Sequence, residues 1–150
     1  KWIISTNKTA TSPGRIYVSS DYGATWTVSA PAGNISYEVV AISGDGAYLY
    51  SGVNSGSVYR STNLGSTWTA VAALGVSPDD WGDISMSEDG QIVTASYNDT
   101  TLYISTDYGA TWTDRTPPFS AADMVFLYAC VASDGESIVS TASTNQFFLS

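Results

Sequence analysis

One eight-residue motif, Ser-x-Asp/Asn-x-Gly-x-Thr-Trp, occurs three times and constrains this chain more than any other feature. The copies are Ser19-Ser20-Asp21-Tyr22-Gly23-Ala24-Thr25-Trp26, Ser61-Thr62-Asn63-Leu64-Gly65-Ser66-Thr67-Trp68 and Ser105-Thr106-Asp107-Tyr108-Gly109-Ala110-Thr111-Trp112. Trp26, Trp68 and Trp112 stand 42 and 44 residues apart. A period in the low forties is the length of one four-stranded propeller blade. A second repeat lies between the motifs: Ser43-Gly44-Asp45-Gly46, Ser87-Glu88-Asp89-Gly90 and Ser133-Asp134-Gly135. Asp-Gly between two strand-like runs marks a tight turn, because glycine takes a positive φ without steric cost.

Each unit therefore reads as four strands, A to D from the axis outwards. The fold class is all-β, a β-propeller of four-stranded antiparallel blades with a hairpin at each motif. The second unit has A over 37–42, B over 48–53, C over 57–61 and D over 67–72. The third has 81–86, 91–96, 101–105 and 111–115. The first begins at B (2–5, 15–19, 25–29), and the fourth has A over 124–132, B over 137–142 and C over 146–150. As blades, residues 1–30 are partial, 37–72 and 81–115 are complete, and 124–150 are partial. The expectation is that neighbouring blades, from a longer chain or from other chains, complete the propeller, since bare blade edges expose unpaired backbone groups.

Composition narrows the partners. The 150 residues carry a formal net charge of −9 and no His; the cations are Lys1, Lys8, Arg15, Arg60 and Arg115. No basic patch exists to neutralise phosphates, which argues against nucleic acid and anionic membranes. No apolar run is long enough to span a bilayer, so no membrane insertion is expected. Cys130 lies in an apolar run and reads as a small buried hydrophobe. A catalytic thiol would need a histidine partner.

The three motifs resemble the BNR or Asp-box repeat of sialidase-like β-propellers, a superfamily that also holds Vps10/sortilin-type receptors, xyloglucan-cleaving glycosidases and a photosystem II assembly factor. The motif is shared across unrelated functions and does not choose among them. Its residues read as structural: Ser19, Asp21, Gly23, Thr25 and Trp26; Ser61, Asn63, Gly65, Thr67 and Trp68; Ser105, Asp107, Gly109, Thr111 and Trp112. The carboxylates accept turn N–H groups, the glycines take a positive φ, and the indoles pack under the turn. Asn63 supplies an acceptor without charge, which a structural role tolerates and a general-acid role does not. No metal site and no cofactor are expected, because each motif offers too few oxygen ligands for calcium. Exposed Tyr22, Leu64 and Tyr108 are the alternative, a contact ring.

In the resembling enzymes the substrate side is the B–C and D–A face, opposite the motifs. There the candidate ligand contacts are Asp79, Asp80, Trp81, Phe119 and Asp123. Trp81 also aligns with Tyr37 and Leu127, an inter-blade packing position. No catalytic residue is assigned. A sialidase would need a converging arginine cluster, and Arg15 and Arg60 lie in outer strands. Sequons at Asn7, Asn34 and Asn98 fit a secreted or surface protein. The expected function is a non-catalytic extracellular, surface or virion-type module for assembly or for binding a glycan or protein partner. The alternative is a glycoside hydrolase completed by further blades, and a third reading is an intracellular or organellar assembly factor.

Overall fold

A computed structural model of the protein describes residues 1–7, 14–29, 35–74, 81–97, 101–116, 128–142 and 146–149. The described residues build four antiparallel sheets, each a meander whose strands pair in chain order. The first sheet contains β1 (Ile3–Asn7), β2 (Arg15–Ser19) and β3 (Thr27–Ser29). The second contains β4 (Tyr37–Ile42), β5 (Leu49–Val53), β6 (Val58–Ser61) and β7 (Thr69–Ala70). The third contains β8 (Trp81–Met86), β9 (Val93–Tyr97), β10 (Thr101–Ser105) and β11 (Thr113–Asp114), and the fourth β12 (Tyr128–Val131), β13 (Ile138–Ala142) and β14 (Gln146–Leu149). Helical structure among the described residues is one 3₁₀ turn, Ala72–Leu74.

The sheets stack side by side: β1 touches β4, β4 touches β8, and β8 touches β12. This is the propeller arrangement, with the innermost strands meeting around the axis. A blade is covered on both faces, so its strands carry apolar residues on both. In β4, Val40 and Ile42 pack toward the first sheet with Ile16, Val18 and Leu49. Val39 and Ala41 pack toward the third with Ile84 and Trp81. The largest wholly buried side chains are Tyr37 and Tyr50, each stabilising its seam by about 1.5–3 kcal/mol through burial.

Strands β4, β8 and β10 occupy the residues expected of them. The outermost strands are shorter: β7 and β11 have two residues each, where 67–72 and 111–115 were expected. The motif turn occupies the residues up to Trp68 and Trp112. Beyond it both residues of each short strand are exposed, and a single further backbone bond follows each, from Val71 N–H to the Val58 carbonyl and from Arg115 N–H to the Leu102 carbonyl, both at 2.8 Å.

Cys130 is exposed, contrary to its expected burial. Alternation along β12 buries Ala129 and Val131 and leaves Tyr128 and Cys130 on the opposite side. The segment 124–127, read from sequence as the start of this strand, lies outside the described residues.

The seams are stitched by backbone as well as by side chains. On the A–B turns, Gly44 N–H donates to the Glu88 carbonyl at 2.6 Å, and Glu88 N–H donates to the Ser133 carbonyl at 2.9 Å. Farther out, the second and third motif turns lean on the preceding blade. Gly109, at φ 75°, presses its bare Cα against the Tyr50 hydroxyl, leaving no room for a Cβ. Gly23, at φ 86°, has the Trp26 ring edge 3.5 Å from where a Cβ would stand. Gly23→Ala therefore carries the backbone penalty alone, about 1–2 kcal/mol. Gly109→Ala adds overpacking of about 1–3 kcal/mol. Urea unfolding of the two variants is expected to show the lower midpoint for Gly109→Ala; equal midpoints would contradict this account of the seam.

Candidate functional site

Each motif is a hairpin loop joining a third strand to a fourth. In the first, Ser19 Oγ donates to Asp21 Oδ1 at 2.8 Å and accepts Gly23 N–H at 2.8 Å. Asp21 Oδ1 accepts Thr25 N–H at 2.8 Å, and Oδ2 accepts the Thr25 hydroxyl at 2.6 Å. The third repeats this set with Ser105, Asp107, Gly109 and Thr111 at the same distances. In the second, Asn63 Oδ1 accepts Ser61 Oγ at 3.0 Å and Thr67 N–H at 2.9 Å. There the amide Nδ2 donates to Thr67 Oγ1 at 2.8 Å, reversing the bond that a carboxylate receives from the threonine hydroxyl. The indole N–H groups of Trp68 and Trp112 each donate to the motif glycine carbonyl at 3.2 Å. Asx-type bonding of this kind replaces backbone pairing that a tight loop cannot make.

The turn places a non-glycine residue at positive φ directly before the glycine: Tyr22 at 60°, Leu64 at 58° and Tyr108 at 58°. Their side chains point outward and are 76%, 47% and 38% exposed. Among the described residues no ring stacks on Tyr22, whereas Tyr108 stacks on Tyr48 with ring centroids 5.0 Å apart. The three tips thus have different surroundings.

Two shallow grooves lie between a fourth strand and the motif of the next blade. One, about 200 Å³, is bounded by Trp2, Val18, Ser29 and Leu64. The other, about 230 Å³, is bounded by Arg60, Thr69, Ala70 and Ala73 on one side and Gly109 and Ala110 on the other. Arg60 Nη1 donates to the Tyr108 carbonyl at 2.8 Å, and the Tyr50 hydroxyl donates to the same oxygen at 2.9 Å.

Of the residues read as ligand contacts, Asp79, Asp80, Phe119 and Asp123 lie outside the described residues, as do Asn34 and Asn98. Trp81 is 2% exposed. Its ring tilts against Tyr97 at 5.5 Å, its N–H donates to the Gly56 carbonyl at 3.0 Å, and its Cβ fills the space that Gly52 leaves open. It packs one blade on the next and offers no free face to a sugar. Asn7 is exposed, with Oδ1 accepting Arg15 N–H at 2.8 Å.

Sequence reasoning passed over Asp83. Its carboxyl is pushed above the usual range by burial, against which the N–H groups of Ala129 and Ile84 act. It stands in β8 directly after the bulge between Trp81 and Asp83. Among the described residues, no three His, Cys, Asp or Glu side chains converge as metal ligands, and no helix is long and apolar enough to cross a membrane.

The turn carboxylates shift the other way. The Thr25 hydroxyl and N–H and the Ser19 hydroxyl hold Asp21 at about 2, and the Thr111 and Ser105 groups hold Asp107 at about 2. Asp45, Asp89 and Asp114 are lowered by their own turn donors: the Ala47 N–H and Ser43 hydroxyl, the Ser87 hydroxyl and Gln91 N–H, and the Thr116 hydroxyl and N–H. Between pH 4 and pH 2 the unfolded chain binds protons that the folded motifs refuse, so stability rises with pH across that window. Urea unfolding midpoints are expected to fall as pH drops from 4 to 2. They are expected to fall less in the double variant Asp21→Asn/Asp107→Asn, which gives both loops the amide that the second already carries. An unchanged acid slope would contradict the assigned bonding.

A BNR-Asp box repeat model matches residues 16–29, and a BNR/Asp-box repeat model matches residues 103–114. No curated protein sequence matches. Among solved structures, the chain is similar to one in the crystal structure of the Mitotic Checkpoint Complex, with TM-score 0.70 and 14% identity over 99% of this chain and 44% of that one. It is similar to the GH74 enzyme of Niastella koreensis, with TM-score 0.65 and 20% identity over 100% of this chain and 22% of that one. It is also similar to an ancestral GH74 enzyme, with TM-score 0.66 and 24% identity over 95% of this chain and 21% of that one. The chain thus spans less than half of each of these three chains, and the likeness concerns the fold. Three Asp-box hairpins at blade spacing on stacked antiparallel sheets, two of them matched by the repeat models, support the BNR/Asp-box repeat propeller-type superfamily for this chain.

Proposed function

We propose that this propeller module is non-catalytic: a rigid extracellular or surface-associated scaffold that binds a glycan or protein partner or takes part in an assembly. The observation that carries this reading is the employment of the carboxylates. Asp21, Asp45, Asp89, Asp107 and Asp114 each serve as the acceptor that holds a turn, and a carboxyl so held stays ionised. Catalysis of glycoside hydrolysis needs two carboxyl groups across the scissile bond, one of them kept protonated. The sequons at Asn7, Asn34 and Asn98 support the extracellular placement.

A second reading, glycoside hydrolase, is favoured by Asp83 and by the likeness to GH74 enzymes. Asp83 stands in an inner strand, and burial raises its carboxyl, as a general acid requires. Against this, it takes N–H groups from its own strand and from Ala129 of the next blade, the bonding of a strut between blades.

Reducing-sugar release from xyloglucan and other β-glucans, measured with the chain between pH 4 and pH 7, tests the choice. The expected result is no release above buffer, in the chain and in Asp83→Asn alike. Release that Asp83→Asn abolishes, with its thermal midpoint kept, would establish the hydrolase.

A further inference from the structure

The residue just before the motif serine is Val18 in the first repeat and Ile104 in the third, and both pack between blades. In the second repeat it is Arg60. One of its N–H groups meets the Tyr108 carbonyl and another contact is made with the Tyr50 hydroxyl. A guanidinium carries five N–H donors in a planar fork. Arg60 has no further partner among the described residues, and it lines the larger groove. The equivalent groove beside the second motif has no cation in its lining.

The walls of the Arg60 groove limit what fits. Thr69, Ala70 and Ala73 face Gly109 and Ala110, so a slender backbone can lie between them. No aromatic residue lines it, so a sugar ring finds no platform to stack on. One wall is β7, an outermost strand paired among the described residues on one side alone, through Tyr59 with Ala70 and Arg60 with Thr69. An open strand edge with a pocket beside it is the geometry by which extended peptides are bound. The net charge of −9 disfavours a heavily acidic ligand at long range but leaves Arg60 able to pair a single carboxylate at contact.

We infer that the groove between β7 and the third Asp box is a docking site for an extended peptide strand carrying one carboxylate, received by Arg60. This names a partner class for the non-catalytic module and rests on that reading. The probe is an eight-residue peptide of threonine and valine with one central glutamate, titrated into the ¹⁵N-labelled chain and followed by amide and guanidinium NMR shifts. Shifts are expected at Arg60, Thr69, Ala70 and Gly109, with binding at least about tenfold weaker when the glutamate is replaced by glutamine, the loss of a charge-assisted pair. Arg60→Val, which installs the residue that the first repeat carries, is expected to weaken binding to the same degree while keeping the thermal midpoint near that of the unaltered chain. Should that variant lose its fold, the glutamine peptide on the unaltered chain carries the test.

Equal binding of the two peptides, or no shift at these residues, would overturn the inference. So would acetate alone giving the same shifts at the same concentration, which would make the groove a simple anion site, or tighter binding there by a uronic-acid oligosaccharide. Sugar release from β-glucans alongside an intact peptide response would overturn the non-catalytic reading and leave the docking site standing.

Discussion

The hydrogen bonds that Asp21, Asn63 and Asp107 accept inside their own loops are the constraint on which the rest of the structure depends. Each loop must reverse the chain over a few residues with a bulky residue and a glycine both at positive φ, as in Tyr108 and Gly109. That backbone cannot satisfy its own N–H groups by ladder pairing. The serine hydroxyl takes the glycine N–H and the Asp or Asn oxygen takes the threonine N–H, so the loop closes on side chains. In the second and third loops the indole below locks the glycine carbonyl in turn. A loop fixed in this way becomes a rigid surface that a neighbouring blade can use.

The neighbour does use it. Tyr108 O is the acceptor for both Tyr50 and Arg60 from the preceding blade. The Ser29 hydroxyl donates to the Gly65 carbonyl and accepts the Trp68 indole N–H. Near the axis the A–B turns are joined by backbone bonds from Gly44 to Glu88 and from Glu88 to Ser133. A blade is thereby held at its inner and outer ends on the same face, with apolar packing between. Stability in such a repeat is a sum of blade terms and seam terms, and the polar bonds at both ends fix the angle at which the apolar faces meet.

Much of this was legible in the sequence. The motif spacing, the Asp-Gly turns and the apolar runs gave the number, order and direction of the strands, and β4 and β8 lie on the residues that the repeat marked. What depends on the next blade was not legible. Trp81 beside two acidic residues has the composition of a sugar contact, and only the approach of Gly52 from another blade shows why it is buried. Cys130 lies in a run that reads as uniformly apolar, yet the period of two places it with Tyr128 on the exposed face of β12. The outer strands were overestimated because exposed Thr69 and Ala70 carry no pattern that marks an end.

The departures from the repeat carry the specific information. A position filled by the same chemistry in every copy is explained by the fold, as the serine, glycine and tryptophan of the boxes are. Asn63 departs in charge, keeps the bonds from the Ser61 hydroxyl and the Thr67 N–H, and reverses the one with the Thr67 hydroxyl, so the loop closes without a carboxylate. Arg60 departs in kind: it puts a cation where packing alone asks for Val18 or Ile104. Desolvating a guanidinium beside an apolar seam is unfavourable unless its donors are used, and the Tyr108 carbonyl and Tyr50 hydroxyl use a part of them. A valine would fill the seam at lower cost, so the donors left over at the groove are the feature of this blade that the propeller itself does not require.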